Sequence, residues 1–193
     1  MDGTVWGDII GIRPLRPTDA ATLRRMLADP EVANLLYEEL GGEVPSTLLL
    51  ATGILANRLA RRPDFGIVER YGRLIGSVRL WRLSACNRSA MLTIYIGAKD
   101  QWGRGRGTDA LRLALRHAFG SMGLNRVELH VFAFNTRAIR SYEKVGFRHE
   151  GARREALVRH GRHYDVLVMG ILRDEFFARE VERASNTAKE TKA

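Results

Sequence analysis

At 193 residues with 45% hydrophobic side chains, the chain can build one substantial core but not two ordinary domains. Its formal charge of +9 comes from 31 basic against 22 acidic residues, only four of the basic ones lysine. Such an arginine-rich balance suits a polyanionic ligand and equally an ordinary solvated surface, and the second reading is preferred, so nucleic acid is disfavoured as a partner. The single cysteine, Cys86, excludes an internal disulfide framework. No stretch approaches the roughly 18 apolar residues of a membrane span, so a soluble, cytoplasmic protein without membrane contact is expected.

In chain order, Ile9 to Leu15 reads as an edge-type first strand closed by Pro17. Thr18 and Asp19 are suitable N-caps for a helix carrying Leu23, Met26 and Leu27, which Asp29-Pro30 ends. One further turn fits Glu31 to Leu36. Glu38 to Pro45 is then an acidic, glycine-broken loop, out of character in a basic protein. Ser46 caps a second helix with Leu49, Leu50, Ile54, Leu55 and Leu59 on its apolar side, ended at Arg61-Arg62-Pro63. From Phe65 the period changes to that of strands. Phe65 to Val68 and Leu74 to Leu83 form a hairpin, and Ala90 to Ile96 adds a third antiparallel strand.

Past Ile96 the chain enters Trp102-Gly103-Arg104-Gly105-Arg106-Gly107-Thr108, a glycine-punctuated loop feeding a helix from about Thr108 to Phe119 with Arg112, Arg116 and His117 outside. Glycine at this spacing leaves amide N–H groups unobstructed, and the helix adds its positive N-terminal dipole, so the loop is a candidate phosphate cradle. It lacks the Lys-Ser/Thr ending of a Walker loop, and Thr108 stands where a dinucleotide fingerprint needs glycine. Arg126 to Phe132 is a half-exposed strand, and Asn135-Thr136 caps a short helix through Tyr142 and Val145, closed by Gly146. Phe147 to Leu157 and His163 to Leu172 form a final hairpin, and Ser185 to Ala193 reads as a frayed tail. The order is α+β in its first half, with strand-helix-strand connections in its second. The crossover helix between Ile96 and Arg126 requires those two strands to run parallel, which makes the sheet mixed.

Trp102 to Leu111, followed by Asn135-Thr136-Arg137-Ala138-Ile139-Arg140-Ser141-Tyr142-Glu143-Lys144-Val145-Gly146-Phe147, resembles the paired signature of the GNAT acetyltransferases, particularly the RimJ/RimL-type branch. The resemblance implies a GNAT-like α+β (mixed α/β) fold with a centrally splayed sheet of about seven strands flanked by about four helices. It divides the chain into an acetyltransferase domain over residues 1–175 and a charged helix end and flexible tail over 176–193. It also implies acetyl-CoA as co-substrate, no metal, and direct transfer of the acetyl group to a primary amine, either a protein N-terminus or a small molecule. A homodimer is compatible with it.

By the same resemblance, the pyrophosphate rests on Gly103, Arg104, Gly105, Arg106, Gly107 and Thr108. Trp102 stands where the family's loop usually has Gln or Arg. The pantetheine arm pairs with the backbone of Tyr95, Ile96 and Gly97, Asn135 hydrogen-bonds that arm, and an N–H near Ile96 or Gly97 meets the developing oxyanion. Tyr142 falls where relatives carry a tyrosine near the thioester sulfur, and a phenol of pKa about 10 is chemically suited to protonate a leaving thiolate. Relatives often place a glutamate on the strand before the loop, but Met91-Leu92-Thr93-Ile94 has none. Glu38 and Glu39 are the catalytic-base candidates, and their charge also suits a spermidine-like polyamine as an alternative acceptor. An alternative of another class is a non-catalytic module binding CoA or nucleic acid, for which Trp81 between Arg79 and Arg82 is the clearest stacking cluster.

Overall fold

A computed structural model describes residues 3–36 and 44–190. Eight strands form one mixed sheet among them: β1 (Val5–Trp6), β2 (Gly11–Pro14), β3 (Asp64–Val68), β4 (Leu74–Ser84), β5 (Ser89–Ile96), β6 (Arg126–Phe132), β7 (Arg148–Arg159) and β8 (Arg162–Leu172), in the spatial order β1-β2-β3-β4-β5-β6-β8-β7. The strand beyond the expected seven is the two-residue β1, too short to carry a periodic signal. Six helices accompany them: α1 (Ala20–Leu27), α2 (Pro30–Ala33), α3 (Thr47–Leu59), α4 (Arg106–Arg116), α5 (Thr136–Val145) and α6 (Arg173–Glu190). The additional helices are the single turn α2 and the terminal α6, whose helical backbone extends to Glu190 where composition suggested a frayed end.

Every neighbouring pair is antiparallel except β5 with β6, which run parallel as the α4 crossover demands. Their pairing is brief. It covers Ser89, Ala90 and Met91 against Arg126, Val127 and Glu128 and then stops, so the sheet splits from Leu92 onward. Residues alternate across β5: Ile94 and Ile96 pack into the core beneath α4, whereas Tyr95 packs beside Leu23 and Ile54 under α1 and α3. The gap between β5 and β6 therefore connects two differently lined faces of the sheet.

Local chemistry explains the helix positions. Ser46 Oγ accepts from the Leu49 N–H at 3.2 Å, as its capping position requires. Asp19, expected to cap α1, does not; its carboxylate instead binds the Arg13 guanidinium at 2.7 and 2.8 Å and the Arg16 N–H at 2.8 Å. Burial pushes the Asp19 carboxyl up, and these bonds together outweigh it, so the group stays below its ordinary value. His117 is half-buried rather than outside, edge-on to Phe65 with ring centroids 5.1 Å apart, and burial lowers its proton affinity. Its position in a π-helical turn, His117–Ser121, rotates it off the solvent face of α4.

Candidate active site

The split sheet opens into a cavity of about 720 Å³ that runs from the glycine loop, between β5 and β6, to the face beneath α1 and α3. At one end Gly103 and Gly105 adopt left-handed backbone, φ 72° and 74°, which glycine reaches without strain. Gly105 is the N-cap of α4 and supplies no side chain to it. The first bond of the helix runs from the Asp109 N–H to the Gly105 carbonyl at 3.0 Å, leaving the N–H groups of Arg106, Gly107 and Thr108 in the set that a helix start cannot satisfy internally. Thr108 is buried at this wall, and Arg106 Nε and Gln101 Oε1 are buried with no partner among the described residues. A donor-rich, glycine-lined helix start of this kind fits a pyrophosphate.

The loop arginines are not equivalent. Arg106 lines the cavity but its guanidinium is paired with Glu69 at 3.1 Å, while Arg104 is exposed and does not line it. Trp102 donates from its indole nitrogen to the Ile96 carbonyl at 2.7 Å, and Arg137 stacks over its ring at 3.7 Å. The tryptophan that departs from the usual motif thus ties the loop to the end of β5.

Of the three residues expected at the open edge, Gly97 lies just past β5 and away from that edge. Its N–H donates to the Ile75 carbonyl at 2.8 Å and it does not line the cavity, so it offers no donor to an oxyanion. By the alternation of an antiparallel ladder the backbone groups of Tyr95 face β4 as well, leaving those of Ile94 and the Ile96 N–H toward the gap, while the Ile96 carbonyl is taken by the Trp102 indole. Asn135 lines the cavity, with Oδ1 capping α5 by accepting the Ala138 N–H at 3.3 Å.

Tyr142 on α5 lines the middle of the cavity, almost wholly buried, its ring edge-on to Phe147 at 5.8 Å. Among the described residues its hydroxyl has no hydrogen-bond partner, and burial pushes the phenol above its ordinary range. Burial likewise pushes Tyr95 up to about 12, against the smaller opposing pull of Ser77. The unfolded phenol ionises near 10, so stability linked to Tyr95 is complete below pH 10 and declines as pH rises from 10 to about 12. A spectrophotometric phenolate titration is expected to show a class of tyrosines that ionises above pH 10 and only with the loss of circular dichroism; complete ionisation by pH 10 with the fold intact would contradict this.

Glu38 and Glu39 lie outside the described residues. Asp64, which no sequence signal distinguished, is the carboxylate that lines the cavity among the described residues. Trp81 is already flanked by Arg79 and Arg82 at 5.8 and 5.0 Å, and its indole N–H is donated to Thr93 Oγ1 at 3.0 Å. A nucleobase stacking there would have to displace the chain's own guanidinium groups.

A mixed sheet split between parallel neighbours, with a glycine-rich helix start at the mouth of the split, defines the GNAT acetyltransferase fold. The family model described as acetyltransferase (GNAT) domain matches residues 10–148, and the chain belongs to that family. It is 33% identical over 115 residues to spermidine N(1)-acetyltransferase of Vibrio cholerae, covering 60% of this chain and 66% of that protein. It is also 33% identical over 105 residues to the putative ribosomal N-acetyltransferase YdaF of Bacillus subtilis, covering 54% and 57%. These alignments span less than two thirds of either relative. Among solved structures, a chimera of the Vibrio cholerae spermidine N-acetyltransferase SpeG and hSSAT superposes with a TM-score of 0.77 at 26% identity, covering 88% of this chain and 99% of that one. Spermidine N-acetyltransferase from Vibrio cholerae in complex with CoA and spermine shares the fold, with a TM-score of 0.76 at 24% identity over 87% of this chain and 98% of that one.

Proposed function

We propose that the protein is a cytoplasmic, acetyl-CoA-dependent N-acetyltransferase that passes the acetyl group directly to a primary amine. The observation that carries this reading is the continuous cavity joining the free amides of the α4 start to Tyr142 and onward to a separately lined space beneath α1 and α3. One end suits a phosphorylated donor and the other an acceptor. We read residues 1–175 as the catalytic domain and 176–193 as a terminal extension. The motifs at 102–111 and 135–147 support a RimJ/RimL-type branch. Spermidine acetyltransferases among its relatives support a polyamine as the acceptor, and the putative ribosomal N-acetyltransferase YdaF supports a ribosomal one.

Acetyl-CoA supplies, when bound, an acetyl thioester activated toward amines. In this reading the N–H groups of Arg106, Gly107 and Thr108 hold its pyrophosphate, and the open backbone groups of Ile94 together with the Ile96 N–H orient the arm as an added strand does. Asn135 borders the arm's path. In this reading the Tyr142 hydroxyl, which lines the cavity, donates a proton to the departing sulfur, and its burial keeps that proton in place at neutral pH. Glu38 and Glu39 are the candidates for taking the proton of the incoming ammonium.

Calorimetry with CoA, followed by a released-thiol assay over alkyl amines, polyamines, aminoglycosides and peptide N-termini, tests the reading. Binding with turnover of at least one amine class is expected. CoA binding without transfer to any amine would leave a binding module in place of an enzyme.

A further inference from the structure

The cavity has an end that the transfer chemistry leaves unassigned. Strand register brings Asp64 of β3, Arg79 of β4 and Thr93 of β5 into one row across the sheet, with Ser77 and Tyr95 in the next row on the same face. Across this floor lies α3, whose Asn57 donates from its amide nitrogen to Asp64 Oδ2 at 3.1 Å. The surrounding wall is apolar, built from Leu15, Leu23, Leu50 and Ile54.

Asp64 is poorly satisfied there. An ionised carboxylate has about four acceptor sites, and the described residues fill one of them for this side chain. Burial holds its proton affinity above the ordinary value, and the opposing effects of Asn57 and then Arg79 do not cancel it. The Arg79 guanidinium lies beside the Trp81 ring, at 5.8 Å from its centroid. A carboxylate withdrawn from water and short of donors gains most from a small cation delivered to it.

Its position then sets a distance. Neighbouring strands are about 4.8 Å apart, so β3 stands about 10 Å from the open β5 edge, where the acetyl group is transferred. We propose that Asp64 is an acceptor-binding residue that receives a second ammonium group of a diamine-type acceptor, about 10 Å from the nitrogen that is acetylated. The assignment rests on the acetyltransferase reading and deepens it. Asn57 orients the carboxylate, and the apolar wall holds the methylene chain between the two nitrogens.

The test compares α,ω-diaminoalkanes of increasing length with n-alkylamines of matching length, using the released-thiol assay on the whole chain. The wild-type KM is expected to pass through a minimum for diamines whose nitrogens span about 10 Å, at least tenfold below the matching monoamine. Asp64→Asn is expected to abolish that tenfold preference, raising KM far more than it lowers kcat, while CoA affinity by calorimetry stays at the wild-type value. A flat length dependence in the wild type overturns the assignment, and so does a diamine preference that survives in Asp64→Asn. Equal losses on diamines and monoamines with a displaced acid limb of the pH profile also overturn it, making Asp64 the proton acceptor instead. If Asp64→Asn does not bind CoA, the wild-type length series decides alone. Failure of every amine with CoA still bound would instead defeat the acetyltransferase reading itself.

Discussion

Tyr142→Phe is expected to lower kcat by roughly 10²-fold or more, the usual contribution of a positioned acid, with CoA affinity and thermal stability close to wild type. The substitution removes one hydroxyl and keeps the ring that packs edge-on to Phe147. Because that hydroxyl has no partner among the described residues, its loss breaks no hydrogen bond among them, which separates catalysis from folding. Burial raises the phenol above its ordinary value, so no alkaline limb from Tyr142 should appear in kcat below pH 10. Steady-state kinetics with saturating acetyl-CoA decide the matter, and unchanged turnover would remove the proton-donating role.

A second large effect concerns stability. Asp109, buried in the first turn of α4, accepts the backbone N–H groups of Asp8, Ile9 and Ile10 at 3.3, 2.7 and 3.0 Å. It fastens the N-terminal segment to the same turn that begins the glycine cradle. A Cβ on Gly7 would come within 2.6 Å of this carboxylate, which shows how closely the segment is drawn in. Ile10, wholly buried, follows directly. Asp109→Ala leaves three backbone donors unpaired, and for the buried one, the Ile10 N–H, the cost is about 1 to 3 kcal/mol because it cannot regain water. A total loss of roughly 3 kcal/mol corresponds to a fall in Tm of roughly 6–12 °C for a chain of this size. Thermal unfolding followed by circular dichroism measures it. A fall below about 2 °C would mean that the segment re-solvates without cost. Asp109→Asn, which keeps one acceptor oxygen, should lie between the two.

Three parts of the site were legible because their chemistry is local. The left-handed glycines, the unsatisfied helix start and the Asn135 cap each depend on residues a few positions apart, and all stand as the spacing suggested. The parallel relation of β5 and β6 followed from the length of the crossover between them. Other parts were not legible. Gly97 looked available at a strand end, yet its N–H is committed to Ile75, a partner 22 positions earlier that only the register identifies. Asp19 had the residue type and place of a cap, but a guanidinium six positions upstream competes better for its carboxylate than a backbone N–H does.

Asp64 and Asp109 mark the limit most clearly. Each is an acid beside an apolar run, and nothing in the neighbouring residues says whether it faces solvent. Local propensity, capping and period determined the elements, their order and the glycine loop, since those depend on backbone geometry within one or two turns. The tertiary structure alone decided where the sheet splits, which backbone groups remain open along the split, and which carboxylate lines the cavity. Those features arise from the register between strands far apart in the chain, and a shift of a single residue in that register would turn each side chain to the opposite face.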